Sequence, residues 1–136
     1  MLKDIPRYRM KNIALAVTPR ADHQPGGEEL WDIFLINLKE DPITTVLVNS
    51  RGYGKVEGEK RRTSVLRHFF PEIGPKTAVQ IEPIQTKLFS MTNEYWVSFV
   101  HEAYMFDKKY VFVKGSIDPK HFTHIPILNR PGVMIR

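Results

Sequence analysis

The segment from Leu30 to Ser50 constrains the fold of this chain more than any other. Its first half is apolar on both alternating faces, with Trp31, Ile33 and Leu35 on one face and Leu30, Phe34, Ile36 and Leu38 on the other. A strand of this kind is typical of the centre of a sheet on which a second layer packs. A polar connection, Lys39–Pro42, leads to a second β-rich run, Ile43–Ser50. The pattern therefore predicts an antiparallel hairpin within a β-sandwich.

Short β-strands recur along the whole chain. Period-two alternation and bounding Pro or Gly residues predict them at residues 13–17, 31–38, 43–50, 61–70, 77–82, 95–106 and 110–113. The long 95–106 run is expected to pair back with 110–113 across Asp107–Lys109. The stretch 84–94 is only a weak helix candidate because of its Ser, Thr and Asn content. The sequence predicts an all-β, immunoglobulin-like antiparallel β-sandwich of about seven strands, forming a single domain over residues 1–136.

The apolar phases of these strands predict the core. Its members share an inward position in an alternating or fully apolar run, and each is expected to be mostly buried. They are Ile13, Leu15, Val17, Trp31, Ile33, Phe34, Leu35, Ile36, Val79, Ile81, Trp96 and Phe112.

Composition excludes several classes of protein. The 136 residues contain no cysteine, which excludes thiol catalysis, thiolate zinc sites and a disulfide framework. Charged residues in Met1–Arg9 are not followed by an apolar run, so no signal peptide is predicted. No segment approaches the roughly 18 apolar residues of a membrane-spanning helix. We therefore expect a cytoplasmic protein without a membrane partner, with a mobile polar loop at residues 19–29.

A glycine-rich segment, Gly52–Gly58, is the first candidate site. It contains too much glycine to predict regular structure, and its free N–H groups followed by cations are typical of an anion site. The candidate contacts to a phosphate or a nucleic acid are Lys55, Lys60, Arg61, Arg62 and Arg67. The spacing matches neither G-x-G-x-x-G nor the P-loop pattern. The alternative is a flexible connection between strands that uses glycine for positive φ.

Charge patterning gives this candidate limited support. The net charge is +5, with 20 basic and 15 acidic residues interspersed, which is common on an ordinary solvated surface. Period two places Arg62 and His68 on one face of the predicted 61–70 strand, and Arg61 and Arg67 on the other. Base stacking needs aromatic residues among the cations, and Phe69 and the adjacent Phe70 are expected in the core.

Metal and catalytic patterns are weak. His121 and His124 are three residues apart, but the short helical turn that starts at Asp118-Pro119 is expected to end at Phe122. His101 and Glu102 are adjacent in a predicted strand and would point to opposite faces. Asp32 lies in a strongly apolar run, so it needs a hydrogen-bonding partner if it is buried. No catalytic residue, cofactor or metal site is predicted.

The C-terminal triplet Val133, Met134 and Ile135 is the second candidate site. An isolated apolar end lowers solubility unless it packs on its own sheet or on another chain. One alternative is a final strand within the domain. The other is an interface with a partner or with a second copy, formed by strand addition.

Three segments carry a resemblance to a known family: Asp41–Gly54, Leu66–Phe70 and Gly132–Arg136. Over nearly its whole length the chain resembles a family of short bacterial proteins of uncharacterised function, some of which are labelled phenylalanyl-tRNA synthetase subunits. A synthetase subunit of that class has a longer chain and a mixed α/β catalytic core with motif arginines, and this sequence has neither. The resemblance therefore implies a link to translation and assigns no functional residues.

Together these patterns favour a non-enzymatic binding or protein-interaction module without a cofactor. Its expected partner is another protein or a second copy of the chain. The alternative is a nucleic-acid-associated protein that uses the basic 51–68 region, for which the resemblance implies a link to translation. A continuous positive groove would favour the alternative, whereas one large apolar patch would favour a protein partner.

Overall fold

Two packed antiparallel sheets form the computed structural model, which describes residues 11–20 and 29–136. The described ranges contain ten strands: β1 (Ile13–Pro19), β2 (Leu30–Asn37), β3 (Ile43–Val56), β4 (Glu59–Arg62), β5 (Leu66–Ile73), β6 (Thr77–Gln85), β7 (Thr92–His101), β8 (Tyr104–Phe112), β9 (Thr123–Ile125) and β10 (Arg130–Ile135). The predicted all-β sandwich is confirmed, although seven strands was too low a number. The segment Met1–Arg9 and most of the predicted 19–29 loop lie outside the described residues.

The first sheet has the strand order β6-β2-β1-β10-β9. β2 lies between β1 and β6, as its two apolar faces predict. Pro83 is accommodated in β6 because β6 is an edge strand. The strand therefore continues beyond the predicted end at residue 82, as far as Gln85.

The predicted hairpin between β2 and β3 is wrong, because the two strands lie in different sheets. The connection Lys39–Pro42 crosses from one sheet to the other. Asn37 holds this corner: its Nδ2 donates to the backbone oxygens of Asp41 at 2.9 Å, Gly74 at 2.9 Å and Ile73 at 3.2 Å. The crossing thus depends on contacts with a distant part of the chain.

The second sheet has the order β4-β3-β7-β8, and β5 pairs with β3 on the same side as β4. β7 and β8 form a hairpin from Asn93 opposite Phe112 to His101 opposite Tyr104. The turn therefore lies at Glu102 and Ala103, both with positive φ. The prediction of one strand over 95–106 that turns at 107–109 is wrong, because these turn residues interrupt it.

The main core fills the space between the sheets. Nine of the twelve predicted core residues are buried: Ile13, Leu15, Val17, Trp31, Ile33, Leu35, Ile36, Ile81 and Phe112. Phe34 and Val79 are half-buried and pack against core clusters. Trp96 is a clear error, since 46% of it is exposed. In β7 the inward residues are Tyr95, Val97 and Phe99, which leaves Trp96 on the outer face.

The C-terminal triplet lies in β10, next to β1 in the first sheet. Val133 pairs with Val17, Met134 with Ala16 and Ile135 with Leu15. In the structure this segment is thus a final strand within the domain, which is one of the two alternatives given above. Gly132 is required by close packing: a Cβ there would lie 2.5 Å from the backbone oxygen of Val17.

Helical structure in the described ranges consists of two 3-10 turns, Thr86–Ser90 and Pro119–His121. The Asp118 side chain accepts a hydrogen bond from the Lys120 backbone N–H, which confirms the predicted cap. Phe122 follows the second turn, also as predicted. No helix in the described part of the chain has the length and apolar character needed to cross a membrane.

Candidate nucleic-acid interface

A long β-hairpin carries the cations of the 51–68 region. β3 and β4 pair from Tyr53 with Arg62 to Val56 with Glu59, and Glu57 and Gly58 form the turn. Their φ values, 52° and 81°, are both positive, as a type I′ turn requires. The glycine-rich 52–58 segment is therefore regular strand up to Val56, and the prediction of irregular structure there is wrong.

A bulge between β4 and β5 brings cations to one face. Two residues of β3, Arg51 and Gly52, lie opposite the three residues Thr63–Val65. Gly52 holds the bulge through both of its backbone polar groups: its oxygen accepts from Thr63 N at 2.8 Å, and its N–H donates to Thr63 Oγ1 at 2.7 Å. The extra residue reverses the side-chain alternation between the two strands.

The predicted division of charges between two faces is consequently wrong. Arg62 lies opposite Tyr53 and Arg67 lies opposite Asn49, and these β3 residues alternate in phase on the outer face. Arg61 and His68 have the inward phase instead, opposite Gly54 and Val48. Lys55 and Lys60 face each other and extend the outer set. The outer face thus carries Lys55, Lys60, Arg62 and Arg67 together.

Aromatic side chains are exposed on the same outer face. Trp96 is 46% exposed, Tyr53 38% and Phe69 57%. Phe69 had been expected in the core, but it pairs with Leu47 on the outer face. Phe70, with the opposite phase, is half-buried and packs against the core. Cations lie over two of the rings: Lys109 Nζ is 5.9 Å from the Trp96 centroid, and Arg51 Cζ is 5.6 Å from that of Tyr53.

One buried carboxylate organises the centre of this face. Glu94 is 5% exposed. Its Oε2 accepts a hydrogen bond from Arg51 Nε at 2.7 Å, and its Oε1 lies 3.5 Å from Lys109 Nζ. Arg61 is also paired, with Glu59 at 3.0 Å. By contrast, the side chains of Lys55, Lys60, Arg62 and Arg67 form no ion pair with a described residue, so their charges remain available to a ligand.

Two adjoining depressions on the outer face are lined by these cations and aromatic rings. One has a volume of about 540 Å³ and is lined by Arg51, Tyr53, Gly54, Lys55, Lys60, Arg61, Arg62, Thr63 and Val65. The other, of about 290 Å³, is lined by Asn49, Ser50, Arg51, Val65, Arg67, Glu94 and Trp96. They share Arg51 and Val65. We call the combined depression the basic groove. The sequence predicts five of the cations, Lys55, Lys60, Arg61, Arg62 and Arg67, but Arg51, Lys109 and Trp96 are not predicted. The alternation within 94–99 is a signal that would have placed Trp96 outside the core.

A separate cavity of about 190 Å³ lies between the sheets, where β5 and β6 form neighbouring edges. Glu82 extends into this region from β6, and its Oε1 accepts a hydrogen bond from Ser50 Oγ at 2.6 Å. His68 Nε2 lies 3.4 Å from the same oxygen without hydrogen-bond geometry. Burial, with a smaller contribution from the Glu82 carboxylate, raises the pKa of the Tyr95 phenol above its ordinary value. The phenol is therefore a neutral hydrogen-bond donor at physiological pH.

Asp32, His121 and His124 are polar candidates that do not line the basic groove. Asp32 is buried and has partners: Arg20 Nε and Gln80 Nε2 donate to its Oδ1 at 3.0 and 2.9 Å. The 3-10 turn that contains His121 ends before His124. We conclude that Asp32 is held by a structural ion pair.

The prediction that His101 and Glu102 point to opposite faces of a strand is wrong, because Glu102 lies in the turn that follows β7. The possible ligand atoms of Asp41, His101 and Glu102 lie within 4.8 Å of one another. Asp41 and Glu102 are exposed.

Comparison with protein-family models and with curated proteins gives no match for this chain.

Proposed function

We propose that this protein is a non-enzymatic binding module that holds single-stranded nucleic acid in the basic groove. The observation that carries the proposal is a juxtaposition on one sheet face: exposed aromatic rings lie beside cations that form no ion pair with another described residue. Cations contact phosphates irrespective of base, and aromatic rings stack on bases that are not paired. Lys60 and Arg62 at one end and Trp96 at the other define the groove.

The dimensions of the groove suit a short stretch of polymer. A β-strand rises about 3.3 Å per residue, so the distance from Lys55 to Asn49 along β3 is about 20 Å. Several nucleotides fit this length, within the range of site sizes that single β-barrel modules occupy. The cations lie along the strand rather than around one point, which suits a chain of phosphates better than a single anion.

Single strands fit this face better than a duplex. Trp96, Tyr53 and Phe69 can stack only on bases whose faces are accessible. In a duplex these faces are covered by neighbouring base pairs. The β3–β4 ribbon could contact a major groove through its cations alone, and duplex binding is therefore an outcome that the test includes. The resemblance described above implies a link to translation, so RNA is the first ligand to test.

Fluorescence anisotropy with a labelled 12-nucleotide single-stranded RNA tests the proposal. The double variant Lys60→Glu, Arg62→Glu should lose most of the affinity. Lys114→Glu, Lys120→Glu is the matched control, because it reverses the same number of exposed charges outside the groove. Equal affinity of both variants, or no binding by the parent protein at low salt, would refute the proposal. Tighter binding to the matching duplex would refute the single-strand preference.

A protein partner is the second candidate, and a specific observation favours it. Leu47 and Phe69 form an exposed cross-strand pair on the outer face, away from the Lys55–Lys60 end. Met105, in β8 of the same sheet, is 80% exposed. Exposed large apolar side chains of this kind are common in protein interfaces. Sedimentation equilibrium of the parent protein and of Phe69→Ser tests self-association: a dimer that dissociates in the variant supports it, and a monomeric parent refutes it.

A further inference from the structure

The cavity between β5 and β6 lies directly beside the basic groove, and we call it the edge slot. Both depressions are lined by Arg51 and Thr63. Ser64 and Leu66 line the slot, whereas Val65 between them lines the groove. The Thr63–Leu66 segment is therefore a thin wall between the two. A polymer held in the groove could place one substituent across this wall and into the slot.

The walls of the edge slot are largely apolar. Leu66, Ile84 and Leu88 line it together with Pro83 and the ring of Tyr95. Leu66, 46% exposed, lies at its outer side. The volume of about 190 Å³ is below the roughly 300 Å³ at which pockets for drug-sized ligands begin. A single flat ring system suits such a slot, whereas a whole nucleotide does not.

Glu82 and Tyr95, which both line the slot, have unused hydrogen-bonding capacity. The Glu82 side chain is only 12% exposed, and its Oε1 is occupied by Ser50. Within residues 11–20 and 29–136, Glu82 Oε2 accepts no hydrogen bond. The same holds for the phenol oxygen of Tyr95, a residue that is 2% exposed. The side-chain atoms of the described residues that are fully buried without a partner are Thr18 Oγ1, His68 Nε2 and Arg130 Nε, so Glu82 Oε2 and the Tyr95 phenol oxygen keep some accessible surface. A ligand in the slot can therefore reach both atoms and form a hydrogen bond with each.

We propose that the edge slot binds one nucleobase that carries an exocyclic amino group. The Glu82 carboxylate accepts from the amino N–H, and the Tyr95 phenol donates to the neighbouring acceptor on the ring. This inference rests on the proposed function, because the base enters from a strand held in the basic groove. A carboxylate that accepts from the N4 amino group of cytosine is an established recognition pair.

Charge explains why a base, rather than a phosphate, enters the slot. The Glu82 carboxylate repels a phosphate, which the cations of the groove attract. Cytosine presents an amino group where uracil presents a carbonyl oxygen, and the carboxylate repels that oxygen. A site built to hydrogen-bond an N–H rejects an analogue that lacks it, because its own polar groups then stay unpaired. The slot therefore discriminates between two pyrimidines that have similar ring size.

Labelled hexamers of cytidine and of uridine test this inference by fluorescence anisotropy. We expect the parent protein to prefer the cytidine hexamer about tenfold, the size of discrimination that one good base contact supplies. Glu82→Gln should reduce the preference to about twofold or less, because the neutral amide no longer repels the uracil oxygen. Glu72→Gln, which changes an exposed glutamate in β5, is the matched control and should retain the preference.

Tyr95→Phe is the second variant, in case Glu82→Gln fails to fold. It removes one hydroxyl group, keeps the ring that packs against Phe112, and should also reduce the preference. Equal affinity of the parent for both hexamers would overturn the inference. An unchanged preference in whichever of the two variants folds would also overturn it. Neither result would contradict the binding of RNA in the basic groove. If neither hexamer binds at low salt, both the inference and the proposed function are wrong.

Discussion

Glu94 accepts a hydrogen bond from Arg51 at 2.7 Å and is almost fully buried in the outer face of the second sheet. The pair lies at the junction of the two depressions of the basic groove. A nearly buried charge must be paired and hydrogen-bonded, and here Lys109 supplies a second cation. Glu94 therefore holds Arg51 and Lys109 in place beside Tyr53 and Trp96, and it also neutralises part of their charge.

Replacing Glu94 with Gln should strengthen binding to single-stranded RNA. The amide retains an oxygen that accepts from Arg51, and the net charge of the groove rises by one. We expect a rise in affinity of several fold at low salt that shrinks as salt screens the charges. Anisotropy titrations at two salt concentrations measure it. A lower affinity at both concentrations would show that the orientation of Arg51 matters more than its neutralisation.

Trp96 should contribute to affinity by stacking on a base. Trp96→Ala is expected to weaken binding of single-stranded RNA by about 1–3 kcal/mol, the range found for base–aromatic stacking. RNA should also protect the indole from acrylamide quenching in the parent, whereas Trp31 is already buried. Leu47→Ala removes an exposed apolar side chain outside both depressions and is the control. Unchanged affinity in Trp96→Ala would show that no base stacks on Trp96.

The apolar patterns around Trp31–Ile36 correctly predict a central strand and a second layer. These patterns work because burial of both faces is a local property of alternating side chains. The connection Lys39–Pro42 is different, since its length fits both a hairpin and a crossing between sheets. The crossing is stabilised by hydrogen bonds from Asn37 to the backbone oxygens of Ile73 and Gly74, which lie 36 and 37 residues away in the sequence. A single sequence does not reveal such a contact.

The candidate site likewise combines features that the local sequence predicts with features that depend on how the strands pair. Lys60, Arg62 and Arg67 are visible as cations in the sequence, but their common face depends on the bulge at Thr63–Val65. Strict period two places Arg62 and Arg67 on opposite faces, and the single inserted residue reverses that result. The exposure of Trp96 was, in contrast, predictable, because its β7 neighbours Tyr95 and Val97 form the more apolar phase.

The buried position of Leu35 predicts a large loss of stability on truncation. Leu35 is fully buried in central strand β2 and belongs to the main core between the sheets. Leu35→Ala should lower the free energy of unfolding by about 2–5 kcal/mol. Leu47→Ala, an exposed leucine, should change it by less than about 0.5 kcal/mol. Urea denaturation of both variants measures the difference, and coincident unfolding curves would contradict the assigned core.

Deletion of residues 131–136 should destabilise the fold without changing the molecular mass in solution beyond the loss of the segment. The deletion removes the register pairs that Val133, Met134 and Ile135 form with β1. Thermal unfolding and light scattering measure the two quantities. Gly132→Ala is the milder variant, since its added methyl group collides with the backbone at Val17. An oligomer that dissociates into folded, equally stable monomers would instead assign the segment to an interface between chains.

The dependence of RNA affinity on salt tests the central claim most directly. Four groove cations, Lys55, Lys60, Arg62 and Arg67, form no ion pair within residues 11–20 and 29–136 and are available to contact phosphates. For single strands the slope of log K against log salt is about −0.7 per contact, which predicts a slope of about −3 for the parent protein. Lys60→Glu, Arg62→Glu should reduce the magnitude of this slope by about half. A parent slope near zero, or the same slope in the parent and this variant, would contradict nucleic-acid binding in the basic groove.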